Sequence, residues 1–324
     1  MDKIRNLIVI AILLSLIFSC ACVFPSNQST TTPVSLTTPS LSPTTSDSPT
    51  VSPSFAASQI QTTSPTQVSS SGKMVVHYIN VGQGDSELIQ FPSGKTMLID
   101  AASTVPNYLR QQGLSSIDVV VATHPHEDHI GGMVAVLDNF AVKQFIDSGT
   151  PDTTSTFEKM LTTIDQNNIP FKTVKTGDII SLDPAVSIQV LNPSVLVTDD
   201  YNQNSIVLKM TYGKVTYLFT GDGEEPVEEQ YANSVGHVDI LKVAHHGSCT
   251  SSSSAFLDAV RPDVSVISVG AHNDYGHPCA ATTGRLEQVG SKVYRTDQDG
   301  TIIITSDGNT YSVETSSTGV SSCS

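Results

Sequence analysis

The chain has 324 residues, of which 38% are hydrophobic and 15% charged, so it can hold one large catalytic domain or two small ones and is neither fibrous nor wholly disordered. Acidic residues outnumber basic ones 31 to 16, and the Lys and Arg residues form no run. Tight binding of duplex nucleic acid depends on phosphate neutralisation, so no stable nucleic-acid complex is expected, although a phosphate can still meet a metal site.

Residues 1–22 have the pattern of a signal peptide. Lys3 and Arg5 precede an apolar run over 7–18, which is shorter than the roughly 20 residues needed to cross a bilayer. The Ile-Phe-Ser-Cys segment that ends at Cys20 resembles the lipobox of prokaryotic lipoproteins. We therefore expect an extracytoplasmic protein, either secreted or anchored to the outer face of the membrane by a lipid. An uncleaved N-terminal anchor is the alternative.

Residues 23–72 are predicted to form a disordered stalk. About two thirds of the residues in 26–71 are Ser, Thr or Pro, and Asp47 carries the only charge there. Such a segment buries too little apolar surface to offset the entropy of ordering it. A globular domain is expected over 73–314, followed by a tail over 315–324.

The globular part alternates short strands with helices. In its first half we expect strands at 74–81, 86–91, 95–100, 117–123, 142–146 and several within 171–191, with helices at 105–112, 132–139 and 156–167. In its second half we expect a hairpin within 204–220, a helix at 225–233, a strand at 238–244, a helix at 252–260, a strand at 264–269, a helix at 281–289 and a last hairpin over 292–313. Two such halves suit a pair of sheets packed face to face with helices outside.

The densest group of chemistry-bearing side chains follows the predicted strand at 117–123. Four metal-competent residues share this tight loop: His124, His126, Asp128 and His129. Imidazoles with a carboxylate suit zinc, and four ligands on one loop exceed the need of one ion that keeps an open position, so the spacing predicts two ions. A solvated polar turn is the alternative, which three histidines at this spacing disfavour.

This HxHxDH pattern resembles the signature of the metallo-β-lactamase-fold hydrolase superfamily, and the resemblance extends over 74–306. It implies an α+β fold, arranged as an αββα four-layer sandwich, and two bound ions, expected to be Zn²⁺ with Mn²⁺ as the alternative. The Leu-Ile-Asp segment is similar to that family's first motif, which would put Asp100 beside the metal loop. Asp222 ends a segment similar to the motif whose aspartate bridges the metals. His245 lies in a segment similar to the last histidine motif and is expected to be a further ligand.

Three residues are expected to act in catalysis. Asp128 would bind one metal and orient or deprotonate the attacking water. His246 would lie behind the ligands or face the developing oxyanion, with a polar helix-initiating turn as the alternative for the 245–246 pair. His277 would bind a phosphoryl oxygen or protonate the leaving group, and a turn histidine before proline is the alternative.

Four further segments resemble the hydrolase domain of the ComEC competence family and its free-standing secreted relatives: 81–85, 204–208, 241–248 and 275–278. That family is associated with DNA uptake, and the resemblance implies a metal-dependent nuclease or phosphodiesterase. The chain departs from it in having no multi-span channel and in carrying Asn80 where aspartate is usual. A histidine of the wider superfamily is also missing between Asn192 and Asp222, which leaves the first metal with His124, His126 and Asp222 plus water or an extra ligand.

Other parts of the sequence leave alternatives open. Cys249 with Cys279 is the favoured disulfide pairing because both cysteines follow His-rich loops, and free thiols are the alternative. The glycine-rich turn at 82–85 would either close a hairpin or offer backbone amides to an anion. Four glutamates are interpreted as the solvated acidic start of a helix: Glu224, Glu225, Glu228 and Glu229.

The expected function is that of an extracytoplasmic binuclear zinc phosphodiesterase, with DNA as the substrate that the resemblance suggests. One metal centre serves several electrophiles, so hydrolysis of another ester, a thioester or a lactam stays open. A non-catalytic surface protein that keeps the metal for stability is the third alternative.

Overall fold

The computed structural model describes residues 72–317, so the predicted signal peptide, nearly all of the stalk and most of the tail lie outside the described residues. Two large mixed sheets form the centre of the domain and pack face to face. Within 72–317, no helix combines the length and apolar character needed to cross a membrane.

The first sheet has eight strands in the order β16-β15-β1-β2-β3-β5-β7-β8. Its strands are β1 (Met74–Tyr78), β2 (Glu87–Gln90), β3 (Thr96–Ile99), β5 (Val119–Ala122), β7 (Phe145–Asp147), β8 (Phe171–Thr173), β15 (Ile302–Ser306) and β16 (Tyr311–Thr315). The run from β3 to β8 is parallel and the rest is antiparallel. A two-stranded parallel pair, β4 (Ser116–Ile117) and β6 (Ala141–Val142), lies apart from it.

The second sheet has six strands in the order β14-β13-β12-β11-β10-β9. They are β9 (Val186–Asn192), β10 (Val207–Tyr212), β11 (Val215–Phe219), β12 (Ile240–Lys242), β13 (Val264–Ile267) and β14 (Lys292–Arg295). β9, β10 and β11 are antiparallel, whereas β11 to β14 are parallel. The continuous buried runs of β12 and β13 are typical of a sheet that is covered on both faces.

Helices cover the outer face of each sheet. Over the first sheet lie α1 (Val105–Gln111), α3 (Met133–Asn139) and α4 (Ser155–Gln166), with the short α2 (Glu127–Ile130) in the metal loop. Over the second sheet lie α5 (Glu225–Val235), α6 (Ser254–Val260) and α7 (Ala280–Gln288), and a short α8 (Thr296–Asp299) follows β14. One apolar core fills the space between the sheets and one lies under each helical layer, which confirms the expected αββα sandwich.

The predicted last hairpin over 292–313 is wrong. β14 pairs in parallel with β13 in the second sheet, whereas β15 and β16 form a hairpin that joins the first sheet beside β1. The turn of α8 carries the chain from one sheet to the other between these strands. Strand patterning indicates which segments are extended, and it does not indicate which sheet they join.

The site residues follow the carboxyl ends of four parallel strands. Asp100 follows β3, and the histidine-rich loop follows β5, both in the first sheet. Asp222 follows β11, and the His245–His246 pair follows β12, both in the second sheet. Since neighbouring parallel strands end at the same edge, the two sheets bring these loops together at one end of the sandwich.

Candidate metal centre

The Asp222 carboxylate lies at the centre of a cluster of imidazoles. Its Oδ2 is 3.2 Å from His129 Nε2, 3.8 Å from His124 Nε2, 3.8 Å from His246 Nε2 and 3.9 Å from His245 Nε2. Its Oδ1 is buried without a hydrogen-bond partner. One carboxylate that faces four ring nitrogens has the surroundings that a bridging ligand between two cations needs.

One group of four residues offers ligand atoms that all lie within 4.8 Å of one another: Asp128, His129, Asp222 and His246. His246 Nε2 is 3.1 Å from Asp128 Oδ2, and His129 Nε2 is 4.0 Å from the same oxygen. His129 Nε2 is buried without a hydrogen-bond partner. Two imidazoles and two carboxylates that converge in this way form a donor set suited to a divalent cation.

A second part of the centre contains the first two histidines of the loop. His124 Nε2 lies 3.0 Å from His126 Nδ1 and 3.8 Å from Asp222 Oδ2, so both ring nitrogens lie beside the central carboxylate. His124 is fully buried, and its Nδ1 is 3.1 Å from Thr123 Oγ1. Burial lowers the pKa of His124 well below its usual value, which keeps this imidazole neutral and able to bind a metal.

Outer residues fix the orientation of the rings. Asp100 Oδ2 accepts a hydrogen bond from His129 Nδ1 at 2.7 Å and another from Thr123 Oγ1 at 2.7 Å, as the resemblance to the first motif predicts. Ser268 O lies 2.9 Å from His246 Nδ1 and accepts a hydrogen bond from it. With Nδ1 protonated, Nε2 of each ring keeps its lone pair for a metal.

Glu224 has the corresponding role for His245. Glu224 Oε1 lies 2.7 Å from His245 Nδ1 and also accepts from Thr250 Oγ1 at 2.6 Å. Glu228 is fully buried and accepts from the backbone N–H groups of Ser252 and Ser253. The interpretation of these two glutamates as a solvated helix start is therefore wrong, because a carboxylate beside a strand end can turn inward to a histidine or to free backbone donors.

The two adjacent histidines both point into the centre because their backbone is left-handed. His245 has φ 49° and ψ 47°, and His246 has φ 52° and ψ 24°, a region that non-glycine residues rarely adopt. The sequence-based expectation gave the ligand role to His245 and placed His246 outside it. The structure brings His246 into the group of four with Asp128, and His245 Nε2 faces Asp222 from 3.9 Å.

A buried ion pair lies next to the cluster, beside His246. Lys242, the last residue of β12, is 1% exposed, and its Nζ donates to Asp85 Oδ2 at 2.7 Å. The other Asp85 oxygen is 3.6 Å from His246 Nδ1. The backbone N–H of Asp85 donates to Asp128 O at 3.2 Å, so it is engaged with the metal loop and does not face an anion. Nearby, burial and the Asp85 charge raise the pKa of Glu87 well above its usual value.

The electrostatics of the centre favour a bound cation. Burial alone would raise the pKa of Asp222, yet His129 and His246 hold that pKa well below its usual range. Burial alone would lower the pKa of His129, but Asp222 and Asp100 raise it well above 6.5. The carboxylates therefore attract positive charge to the space between them, and the residues fit divalent cations.

His277 lies at the rim of the cluster. Its ring centroid is 5.4 Å from that of His245 and 6.4 Å from that of His246, and its Nδ1 has no hydrogen-bond partner. Burial and these two neighbouring histidines lower the pKa of His277.

The predicted disulfide between Cys249 and Cys279 is confirmed, and it joins the turn after His246 to the start of α7.

The fold and this cluster together define a metallohydrolase of a known class. The family model of the Metallo-beta-lactamase superfamily matches residues 79–272, and the chain belongs to that superfamily. The matched segment includes Asp100, the histidine-rich loop, Asp222 and the 245–246 pair.

Two curated relatives align with most of the chain. ComE operon protein 3 of Bacillus subtilis is 29% identical over 259 residues, which are 72% of this chain and 33% of that protein. Recombination protein 2 of Haemophilus influenzae is 30% identical over 237 residues, which are 70% of this chain and 28% of that protein. The chain thus spans about a third of the length of these relatives.

A solved structure shares the fold. The metallo-beta-lactamase fold protein YhfI of Bacillus subtilis superposes with a TM-score of 0.50 at 13% sequence identity, covering 69% of this chain and 96% of that one. At this level of identity the likeness concerns the fold alone.

Proposed function

We propose that the protein is a binuclear, metal-dependent phosphodiesterase. The observation that carries this proposal is the Asp222 carboxylate, which faces four imidazole nitrogens within 3.9 Å and lies beside Asp128. Zn²⁺ suits the imidazole and carboxylate donors, and Mn²⁺ is the alternative. Bound ions of this kind lower the pKa of water and neutralise negative charge on phosphoryl oxygens.

We assign the ligands to two sets that share Asp222. Asp128, His129 and His246 form one set with it. His124 and His126 form the other. His245 joins this second set in place of the histidine that is missing between Asn192 and Asp222, because Glu224 accepts a hydrogen bond from its Nδ1–H and its Nε2 faces Asp222.

Two residues then act on the substrate. Asp128 is one third exposed at its side chain, so its carboxylate can orient the attacking water and take its proton. Although burial opposes ionisation, His246 holds the pKa of Asp128 low and keeps this group anionic. His277 lies at the rim with its ring 5.4 Å from that of His245, where a neutral imidazole donates a hydrogen bond to a phosphoryl oxygen.

A phosphodiester of DNA is the substrate that the comparisons favour. The relatives named above are a ComE operon protein and a recombination protein, and a competence protein, ComA of Neisseria gonorrhoeae, is 32% identical over 69% of this chain. The acidic net charge of −15 is unsuited to stable coating of a duplex, so we propose transient contact at the metals.

Hydrolysis of bis-p-nitrophenyl phosphate tests this proposal. The purified protein, loaded with zinc or manganese, is expected to release nitrophenol, and Asp128→Ala is expected to abolish turnover. Asp118→Asn is the matched control, since Asp118 precedes β5, whereas the cluster follows the opposite end of that strand, and since Asp118 pairs with Lys143. If the protein binds two metals and shows no turnover, the substrate is instead another ester, a thioester or a lactam. If it shows no turnover and binds one metal or none, a binding protein is favoured.

We also propose that the domain works outside the cytoplasm. The Cys249–Cys279 disulfide supports this, because such bonds persist in oxidising compartments. Membrane anchoring at Cys20 is the second part of the proposal. Cys20→Ser is expected to move the protein from the membrane fraction to the soluble fraction, and an unchanged distribution would contradict the lipid anchor.

A further inference from the structure

A tyrosine at the mouth of the metal centre has no role in the scheme above. Tyr275 is 69% exposed, which is unusual for so large an aromatic side chain. Its ring stacks on His277 with centroids 5.7 Å apart and an interplanar angle of 25°. Because the His277 ring lies 5.4 Å from that of His245, the tyrosine is one ring removed from the ligands.

The loop that carries this ring is held in place by one side chain. Asn273 Nδ2 donates to Gly270 O at 2.9 Å and to His277 O at 2.6 Å. Asn273 Oδ1 accepts from the backbone N–H of Tyr275 at 3.1 Å and from that of His277 at 3.0 Å. The disulfide at Cys279 anchors the end of the same segment. An exposed aromatic ring on a fixed loop is preorganised for a flat ligand.

The charges around the centre exclude the usual means of holding a nucleic acid. The loops that surround it contain no Lys or Arg over 80–86, 122–132, 147–154, 193–205, 220–225, 244–253 and 270–280. The nearby cations are engaged elsewhere, since Lys242 pairs with buried Asp85 and Arg285 donates to the backbone carbonyls of Ser251 and Ser252. Apart from the metals, a polyanion finds no positive partner in these loops, so affinity must come from its other parts.

We propose that Tyr275 is a stacking platform for a nucleobase next to the scissile phosphate, and that the substrate is therefore single-stranded. This inference rests on the proposed phosphodiesterase function and specifies its substrate. Aromatic side chains stack on bases of any sequence, but bases in a duplex are already stacked on both faces. With the phosphate at the metals, the neighbouring base of a single strand extends over His277 toward the tyrosine ring.

A fluorescence experiment tests binding without turnover. The chain has no tryptophan, so Tyr275→Trp introduces a sole indole at the platform. A short phosphorothioate oligothymidylate, which resists hydrolysis, is expected to quench its emission saturably, and the quenching is expected to persist at raised salt. The same oligonucleotide in a duplex is expected to leave the emission unchanged, and so is Tyr311→Trp, on the strand β16.

Kinetics provide the second measurement. We compare kcat/KM for two diesters with the same leaving group, thymidine 5′-(p-nitrophenyl phosphate) and methyl p-nitrophenyl phosphate. The ratio of the two values reports how much the nucleoside contributes to transition-state binding. Tyr275→Leu is expected to lower this ratio about 5- to 150-fold, the effect of losing one base–aromatic stack. Tyr275→Phe is expected to retain the ratio, and Tyr311→Leu serves as the matched control.

The outcomes separate this inference from the function on which it rests. If methyl p-nitrophenyl phosphate is hydrolysed but the ratio does not respond to Tyr275→Leu, the platform is overturned and the phosphodiesterase stands. Equal quenching by single strand and duplex overturns the assignment of a single-stranded substrate. If neither diester is hydrolysed by the metal-loaded protein, the proposed function itself fails.

Discussion

Lys242 and Asp85 form an ion pair whose contribution to the free energy of unfolding depends on its burial. Both side chains are 1% exposed, and the ammonium also donates to Val243 O at 3.0 Å. The protein contains a second ion pair with the same 2.7 Å separation, between Lys143 and Asp118, but the Lys143 side chain is 63% exposed. The two pairs therefore allow the effect of burial to be compared at the same N–O separation.

Replacing Lys242 by Met is expected to lower the free energy of unfolding by about 3–5 kcal/mol, because it leaves Asp85 buried and unpaired beside His246. Lys143→Met is expected to change the same quantity by only about 0–1 kcal/mol, since water replaces the lost partner. Urea unfolding followed by circular dichroism measures both. Equal losses in the two variants would contradict the argument from burial.

The sequence itself contains a signal for this ion pair. A lysine inside the apolar parallel strand 238–244 must find a partner when buried, and that requirement indicates a carboxylate nearby. The identity of the partner could not be predicted, since Asp85 lies 157 residues away in the chain. It follows a turn whose glycines were the only feature used to interpret it. The presence of His246 in the group of four could not be predicted for a similar reason. The left-handed backbone that turns both His245 and His246 toward the centre is set by tertiary packing.

At the scale of elements, the histidine-rich loop is positioned by a close approach between backbones. Gly132, at the start of α3, lies so near Ala102 that a Cβ there would collide with its carbonyl oxygen. The N–H of Gly132 donates to Ala101 O at 2.7 Å, and the N–H of Ala101 donates to His129 O at 2.7 Å. The end of β3 and the metal loop are thus locked together by hydrogen bonds that need a glycine.

Gly132→Ala is therefore expected to destabilise the protein by about 1–3 kcal/mol through overpacking and to weaken metal binding. Gly284→Ala is the matched control, because a Cβ at Gly284 in α7 meets nothing within 4 Å. The control is expected to stabilise by about 0.4–1 kcal/mol, since alanine loses less backbone entropy in a helix. Thermal unfolding and metal titration of both variants measure these effects, and a stable Gly132→Ala with normal metal affinity would contradict the steric argument.

Most elements could be predicted from local patterns, and sheet membership could not. The strand at 117–123 is a buried apolar run with a polar loop after it, and it corresponds to β5 at Val119–Ala122. By contrast, the segments β14, β15 and β16 have strand-like patterns that fit one long hairpin. Their separation into two sheets depends on contacts with β13 and β1, which are distant in sequence.

At the scale of the whole molecule, the metal centre joins the two sheets. Asp128 and His129 belong to the first sheet's loops, whereas Asp222 and His246 belong to those of the second. A cation bound by all four links both halves of the sandwich, and it binds the folded state alone. Metal binding is therefore expected to stabilise the entire domain.

Addition of zinc at about 100 times its Kd is expected to stabilise the protein by about 2.7 kcal/mol. For a domain of this size the unfolding midpoint then rises by about 5–10 °C, and a chelator reverses the rise. Scanning calorimetry measures the shift, which Asp128→Ala is expected to reduce and Asp118→Asn to retain. A midpoint that is indifferent to metal and chelator would contradict the placement of the centre between the sheets.

We expect the bond between Cys249 and Cys279 to affect which cation the centre selects. The two sulfur atoms belong to residues that follow His246 by three positions and His277 by two. Thiolates are softer donors than imidazole or carboxylate and attract copper(I) and zinc strongly, whereas a disulfide has little affinity for either. Oxidation thus removes two competing soft donors from the neighbourhood of a centre built from nitrogen and oxygen. The redox state of the surroundings is therefore expected to influence metal selectivity as well as the cross-link.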